Sequence, residues 1–424
     1  MRILWITNRP IASAQRKYDI RATSGTWMEP ALHTFSKNGD IVISVATVAP
    51  VSSFEEFSEN GITYYCVPQS RKRIYPHNSK KNKGLWQEVI SRSKPDIIMV
   101  WGTEYAHGYC ALKQAGDIPS VIYTQGILDS VARYYFGGMT NKELSFAVTF
   151  RNIIKHDTIR MQRRLYEKKA KIEKKMLELS GRAIVNTYWA GIWCRQINPQ
   201  CEIYTCQIGI NEAFYDTEWK IEECNRRTVF CSAPSGYPLK GLHNIIKAMS
   251  VIVKKYPDAK LKVPGMTNPY NDNIFSVLKR QGYVKYIMSL IDGFSLKDNV
   301  EFLGKLTPQQ MAEQMKTANV FVMASSIENQ STTLREAMTV GTPSVASYVG
   351  GIPEIVGDGK NAYLYRFEEY EMLADRVLKV FSDDNLATSL SSNSREHIRS
   401  LHNECAKREK LYEIYCNILE GNKD

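Results

Sequence analysis

Short apolar runs alternate with amphipathic helical patterns along this chain, and the alternation runs through twice. In the first half, residues 2–7, 41–47, 62–67, 96–101 and 120–124 read as strands, with helices expected at 26–37, 85–92 and 107–114. A long helical region at 130–182 breaks the rhythm before strands at 183–186 and 202–207. After a polar, acidic bridge at 211–227 the pattern restarts. Strands are expected at 229–232, 261–263, 300–303, 320–324 and 344–347, and a helix at 241–253 lines up Leu242, Ile245, Ile246, Met249 and Ile252 on one face. Strands separated by helices call for parallel crossovers, so the fold class is α/β with two doubly wound, Rossmann-like domains. A chain of 424 residues is also too long for one ordinary core. The expected boundaries are 1–215, 216–395, and a terminal helical piece at 396–424. Leu401, Cys405, Leu411, Ile414, Tyr415 and Ile418 are its candidate buried positions.

Composition narrows the class further. Apolar residues make up 43% and charged residues 23%, the balance of a water-soluble globular protein. No apolar run reaches the ~18 residues of a membrane span, and the N-terminal MRILWITNRP reads as a first strand rather than a signal peptide. The nine cysteines are scattered without CxxC spacing, so no metal site is expected and a reduced, cytoplasmic setting fits. The net charge of +11 is uneven. Residues 1–210 carry 29 Lys/Arg against 17 Asp/Glu, whereas 211–424 carry 26 against 27. A polyanion or anionic surface should therefore meet the first half. No nucleic-acid-binding motif accompanies that charge, so no nucleic-acid partner is expected.

The most informative stretch is 325–355, SSIENQSTTLREAMTVGTPSVASYVGGIPEI. Glu328 falls in a polar loop and Glu336 in the first turn of a helix expected over 333–340. Gly341 stops that helix, and a second helix start is expected near Pro353. Taken alone, Thr333-x-x-Glu336 is a capping box. Here the second glutamate comes with an upstream Glu328, a GTP stop and a GGIPE turn in fixed order.

That combination resembles the E-x7-E signature of the retaining glycosyltransferases of family 4. It is most similar to bacterial polysaccharide-assembly enzymes whose signature reads IEN-x4-L-x-EAM. The resemblance implies the GT-B fold, two Rossmann-like domains facing a cleft, with the last helix crossing back to the N-terminal domain. It implies a UDP- or GDP-linked sugar donor, retention of anomeric configuration, and no metal ion or other cofactor. In such enzymes the leaving phosphate takes the acceptor's proton, so no protein nucleophile is assigned. By the same resemblance, Glu328 contacts the transferred sugar and is the catalytic candidate. Asn329, Gln330, Ser331 and Thr332 meet sugar and phosphate, and Glu336 accepts from the ribose hydroxyls.

Two further loops match by position. Gly25 ends the first β–α loop, where a glycine lets backbone approach a phosphate. Lys240, in Tyr237-Pro238-Leu239-Lys240-Gly241, resembles the lysine of the family's phosphate clamp. The clamp's arginine is missing from residues 232–236, and Arg335 is the charge that could replace it. On the acceptor side, Glu104, His107 and Gln125 follow the strands ending near 101 and 124. Glu104 is the acceptor-binding candidate, His107 alone is more often a packed histidine, and Gln125 stands where relatives often have a histidine and cannot serve as a base.

The function expected is transfer of a sugar from a nucleotide-sugar to a lipid-linked or saccharide acceptor in bacterial surface polysaccharide or glycolipid assembly. A nucleotide-sugar epimerase of the same architecture and a catalytically silent GT-B subunit are the alternatives. Residues 151–179 carry ten Lys/Arg against four Asp/Glu, with Ile154, Met161, Leu165, Ile172, Met176 and Leu179 as an apolar stripe expected to pack inward. With Arg71, Lys72, Arg73, Lys80, Lys81 and Lys83, this helix points to docking on anionic lipid at the inner face of the plasma membrane.

Overall fold

The structure is a computed structural model. It describes residues 1–20, 28, 32, 35, 40–68, 80–207, 209–232, 236–271, 279–401 and 404–421. The chain forms two compact units. The first comprises residues 1–129, 166–209 and 403–424; the second comprises 130–165 and 210–402. Gly25, the expected 26–37 helix as a whole, Cys405, and the basic residues 71–73 lie outside the described residues or side chains, as do the side chains of Lys80 and Lys81.

The first unit is built on eight strands: β1 (Arg2–Thr7), β2 (Val42–Ala49), β3 (Glu55–Glu59), β4 (Ile62–Pro68), β5 (Ile97–Trp101), β6 (Ser120–Tyr123), β7 (Arg182–Val185) and β8 (Glu202–Thr205). Their order is β3-β4-β2-β1-β5-β6-β7-β8, parallel except for β3, which pairs antiparallel with β4. The sequence reading had no β3, because its EEFSE lacks an apolar run. The central strand shows why the sheet needs two covering layers. Ile3 and Trp5 enter one core cluster, while Leu4 and Ile6 enter another. A strand buried on both faces reads as a continuous apolar run, as RILWIT does.

The terminal helix Glu404–Glu420 belongs to this unit. Leu411, Ile414, Tyr415 and Ile418 join the cluster around Ile3 and Trp5, and Trp5 Nε1 donates to the Tyr415 hydroxyl at 3.1 Å. Each such aliphatic side chain, once buried, stabilises the docked helix by about 1.5–3 kcal/mol. Leu401 differs from expectation. It ends the preceding helix, Asp384–Leu401, and is exposed.

The second unit carries β9 (Asn225–Cys231), β10 (Lys260–Pro264), β11 (Val300–Gly304), β12 (Ala318–Met323), β13 (Ser344–Ser347) and β14 (Tyr363–Tyr365). All pairs are parallel, in the order β11-β10-β9-β12-β13-β14. The helix Leu242–Lys255 buries the expected face, Leu242, Ile245, Ile246, Met249 and Ile252.

Residues 130–165, grouped by sequence with the first 215, pack instead within the second unit. The physical reason is a set of polar anchors. Glu143 accepts from Lys247 Nζ at 3.0 Å, from the Tyr286 hydroxyl, and from the Thr140 backbone N–H at 2.7 Å. Asn152 Oδ1 accepts from the Gly282 N–H at 2.8 Å, and a Cβ on Gly282 would lie 2.0 Å from the Ala147 carbonyl oxygen. The long helical region is therefore several helices, including Asn141–Phe146, Phe150–Ile154 and Ile159–Ser180.

The expected apolar stripe is corrected accordingly. Ile172 and Met176 are buried, but Ile154, Met161 and Leu179 are exposed. The inward face of Ile159–Ser180 instead carries Lys169, Ile172, Glu173, Met176 and Leu177, and Ile154 lies on the separate helix Phe150–Ile154. No helix among the described residues is long and apolar enough to cross a membrane.

Candidate functional site

In the second unit, β9 and β12 are neighbours, with Cys231 registered against Val322. The strand order reverses direction between them, and open α/β sheets bind ligands beyond strand ends at such a point. Two loops leave there, one reaching Lys240 and the other Glu328. Their backbones touch. Ser326 N–H donates to the Leu239 carbonyl at 2.8 Å, and a Cβ on Gly241 would stand 1.9 Å from the Ala324 carbonyl oxygen. Gly241 has φ +70°, so both its conformation and its contacts exclude a side chain.

This approach brings Lys240 Nζ onto Glu328 Oε1 as an ion pair. Ser325 Oγ donates to the same oxygen at 2.7 Å. Burial pulls the Lys240 ammonium down, but the Glu328 carboxylate more than offsets this and holds it above its ordinary value. The third side is closed by Gly350 and Gly351. A Cβ on Gly350 would lie 1.9 Å from the Glu328 carbonyl oxygen, which accepts from Gly351 N–H at 3.2 Å.

The helix after this loop is Thr332–Val340, and its N-cap is Ser331, whose hydroxyl accepts from Leu334 N–H at 3.3 Å. This corrects the capping-box assignment. Glu336 sits two residues beyond the position a capping box requires. Its carboxylate makes no hydrogen bond or ion pair among the described residues and is half-buried. Burial pushes it up to about 7, with Arg335 pulling the other way. Arg335, expected beside a diphosphate, is 1% exposed and donates Nη1 to Gln330 Oε1 at 2.9 Å. Asn329, Gln330 and Ser331 are buried, and Thr332 is exposed. The second helix start near Pro353 is a single 3₁₀ turn, Ile352–Glu354.

His243 escaped sequence reading. It is buried in the first turn after Lys240, with Nε2 donating to the Gly137 carbonyl at 2.8 Å and Nδ1 accepting from the Tyr283 hydroxyl at 2.9 Å. Burial lowers it to about 4, so the ring is neutral. Its position three residues after Lys240, on the inward helix face, was the available signal.

In the first unit, the reversal falls between β1 and β5. Gly102 has φ +84°, and a Cβ there would lie 2.1 Å from Asn8 Nδ2, 2.4 Å from Glu104 Oε2 and 2.9 Å from Gln125 Nε2. Three strand ends thus converge on one glycine. Asn8 Nδ2 donates to Glu104 Oε2, and burial raises the Glu104 carboxyl. His107 is a packed histidine. Its Nε2 donates to the Thr7 carbonyl at 2.9 Å, and its ring stacks on Trp86 and Tyr105. Behind them Glu173 is fully buried, accepting from Thr103 Oγ1 at 2.6 Å and Leu128 N–H at 2.9 Å, and burial pushes it up to about 8.

Two parallel α/β units with polar groups beyond their switch points define the GT-B class, and solved structures agree. Sucrose-phosphate synthase from Thermosynechococcus elongatus superposes with a TM-score of 0.71 at 17% identity, covering 99% of this chain and 100% of that one. HepE from Anabaena in complex with UDP gives 0.66 at 15%, covering 98% and 100%. Residues 216–397 match the family described as Glycosyl transferases group 1. The N-acetyl-alpha-D-glucosaminyl L-malate synthase of Bacillus anthracis is 30% identical over 240 residues, 54% of this chain and 57% of that protein. The chain spans about half the length, or less, of the curated relatives it matches.

Proposed function

We propose that this chain is a glycosyltransferase that moves a sugar from a UDP- or GDP-linked donor to an acceptor, with retention of configuration. The observation that carries the reading is the Lys240–Glu328 pair beyond β9 and β12, with Glu336, which has no hydrogen bond or ion pair among the described residues, on the helix that follows. Lys240 would leave part of its hold on Glu328 for the donor's diphosphate, where an ammonium in a partly dry site stabilises the leaving charge. Glu328 then accepts from hydroxyls of the transferred sugar, and Glu336 from the ribose diol, for which an acceptor-only carboxylate is suited. Arg335 holds Gln330 in place. In the retaining step the bond from C1 to the phosphate oxygen breaks and a bond from C1 to the acceptor oxygen forms on the same face. The acceptor's proton passes to the departing phosphate oxygen. Glu104 and Gln125 are the acceptor-side groups.

A lipid-linked acceptor in surface polysaccharide or glycolipid assembly fits a second observation. Phe150 is 78% exposed, and Phe146, Ile153 and Ile154 are exposed beside it. Positions 150, 153 and 154 share one helix face. Lys285 donates to the Phe146 carbonyl at 3.2 Å and stands over its ring. Apolar side chains flanked by cations, here Lys155 and Lys285, suit an anionic lipid surface, with the protein peripheral at the inner face of the membrane.

His243 has both ring nitrogens committed, so it is not free to be the acid–base partner an epimerase needs. Incubation with UDP- and GDP-sugars and a polyprenyl-diphosphate-linked sugar tests the assignment. Acceptor-dependent nucleotide release with an unchanged anomeric configuration supports it. Sugar isomerisation without acceptor, or donor binding without turnover, would overturn it.

A further inference from the structure

Within the second unit, one short segment is fastened onto the loops that carry Lys240 and Glu328. Ser326 Oγ, just before Glu328, donates to the Tyr134 carbonyl at 2.9 Å. The Tyr135 ring stacks on that of Tyr237, with centroids 5.8 Å apart. His243, just after Lys240, donates to the Gly137 carbonyl at 2.8 Å. Residues 134–137 therefore bridge the two loops.

Gly137 and His243 make the tightest of these contacts. Gly137 has φ +58°, and a Cβ there would lie 2.6 Å from the Pro238 carbonyl oxygen. Pro238 opens the single 3₁₀ turn that ends at Lys240, so the segment lies directly on the turn that presents the lysine. A carbonyl can only accept, so Nε2 of His243 carries the ring proton, and Nδ1 is left to accept from the Tyr283 hydroxyl at 2.9 Å. The same hydroxyl accepts from the His243 backbone N–H at 3.3 Å. Tyr283 thus fixes both the tautomer and the first helical turn after Lys240. A lysine ammonium sits on a flexible stem, and it is aimed only as well as its backbone is held.

We propose that His243 is a positioning residue for the donor diphosphate. By tying down Gly137 it clamps the Pro238–Lys240 turn, and it acts through Lys240 without touching the donor. The clamp deepens the transferase reading and rests on Lys240 meeting the diphosphate.

Equilibrium titration of the whole chain with UDP, UMP, GDP and GMP tests it. The proteins are wild type, Lys240→Met, His243→Leu, His243→Gln, Gly137→Ala, and Lys240→Met combined with His243→Leu. Leucine fills the site but strands the Gly137 carbonyl, whereas glutamine returns an amide N–H to the place of Nε2. The preference for diphosphate over monophosphate should vanish in Lys240→Met. It should fall about tenfold in His243→Leu, the scale of one charge-assisted bond. Gly137→Ala, whose methyl meets the Pro238 carbonyl, should lower it similarly and carries the test if His243→Leu does not fold. His243→Gln should restore it, and the double variant should lose no more than Lys240→Met alone. The proposal is overturned if His243→Leu or Gly137→Ala lowers the melting temperature but keeps the wild-type preference. It is also overturned if glutamine fails to restore that preference, or if the losses in the double variant add. A wild-type preference in Lys240→Met would instead overturn the diphosphate reading, and the clamp with it.

Discussion

Lys240 and Glu328 meet although 88 residues separate them, because Gly241 lets one strand-end loop lie directly on the other. The pair should couple energetically. Lys240→Met and Glu328→Gln each strand a charge, so the double variant should recover about 1–3 kcal/mol relative to the summed losses. Denaturant unfolding of the four proteins measures this, and additive losses would refute direct coupling. Lys240→Met should also weaken nucleoside diphosphates more than monophosphates.

The ribose role proposed for Glu336 makes donor binding depend on pH. Its carboxyl is raised to about 7, so the folded protein holds a proton there that the unfolded chain has released. Stability should therefore fall as pH rises from the ordinary carboxylate range to about 7. Donor affinity should rise over the approach to pH 7, because the ionised form accepts ribose hydroxyls. A nucleotide-sugar is the right probe, since its diester phosphates do not titrate there. Glu336→Gln should flatten both slopes and weaken the donor by about 1.5–3 kcal/mol. An unchanged affinity in Glu336→Gln counts against the ribose role.

Glu143 gives the opposite sign. Despite burial, the Tyr286 hydroxyl, the Thr140 N–H and Lys247 hold it down at about 2. Its contribution is fully present above the ordinary carboxylate range and is lost as pH falls toward 2. Glu143→Gln should cost about 2 kcal/mol at neutral pH, and the gap to wild type should close in acid. Urea titrations at pH 7, 4 and 2.5 measure the gap; a constant one would place the stabilisation elsewhere.

Membrane docking has a local test. Phe150→Ser with Ile153→Ser should weaken flotation with anionic liposomes about tenfold, by removing the side chains proposed to enter the acyl boundary. High salt should weaken wild type as well, each nearby basic residue contributing on the order of 1 kcal/mol. Flotation that ignores both the substitutions and salt would favour a soluble acceptor.

Gly241→Ala should be among the costliest single-methyl changes in the second unit. The αL backbone alone costs roughly 1–2 kcal/mol for an L-residue, and the contact with the Ala324 carbonyl adds to it. A melting temperature within 2 °C of wild type, roughly 0.5–1 kcal/mol for a chain of this size, would show that the two loops separate readily.

The fold was legible because strand and helix periods differ, and RILWIT or LHNIIKAMSVIV leaves little choice. EEFSE was not, since an edge strand needs no apolar face. In the candidate site, the sequence supplied Lys240, Glu328 and Glu336 as separate marks, but not the contact between the first two, which depends on how Gly241 and Gly350 close on neighbouring backbone. Nor did it reveal the buried Lys169. A lysine in a basic helix reads as solvated until packing shows which helix face turns inward.

The chain passes between the two units four times, at residues 129–130, 165–166, 209–210 and 402–403. During synthesis the first unit therefore waits for its last helix, and the second begins with a segment made before most of its own sheet exists. Both complete their cores only when nearly the whole chain has emerged. A cut at 215 would divide neither unit cleanly: it would strip one of its closing helix and the other of the segment anchored by Glu143, so exchange of parts with relatives must carry these pieces along.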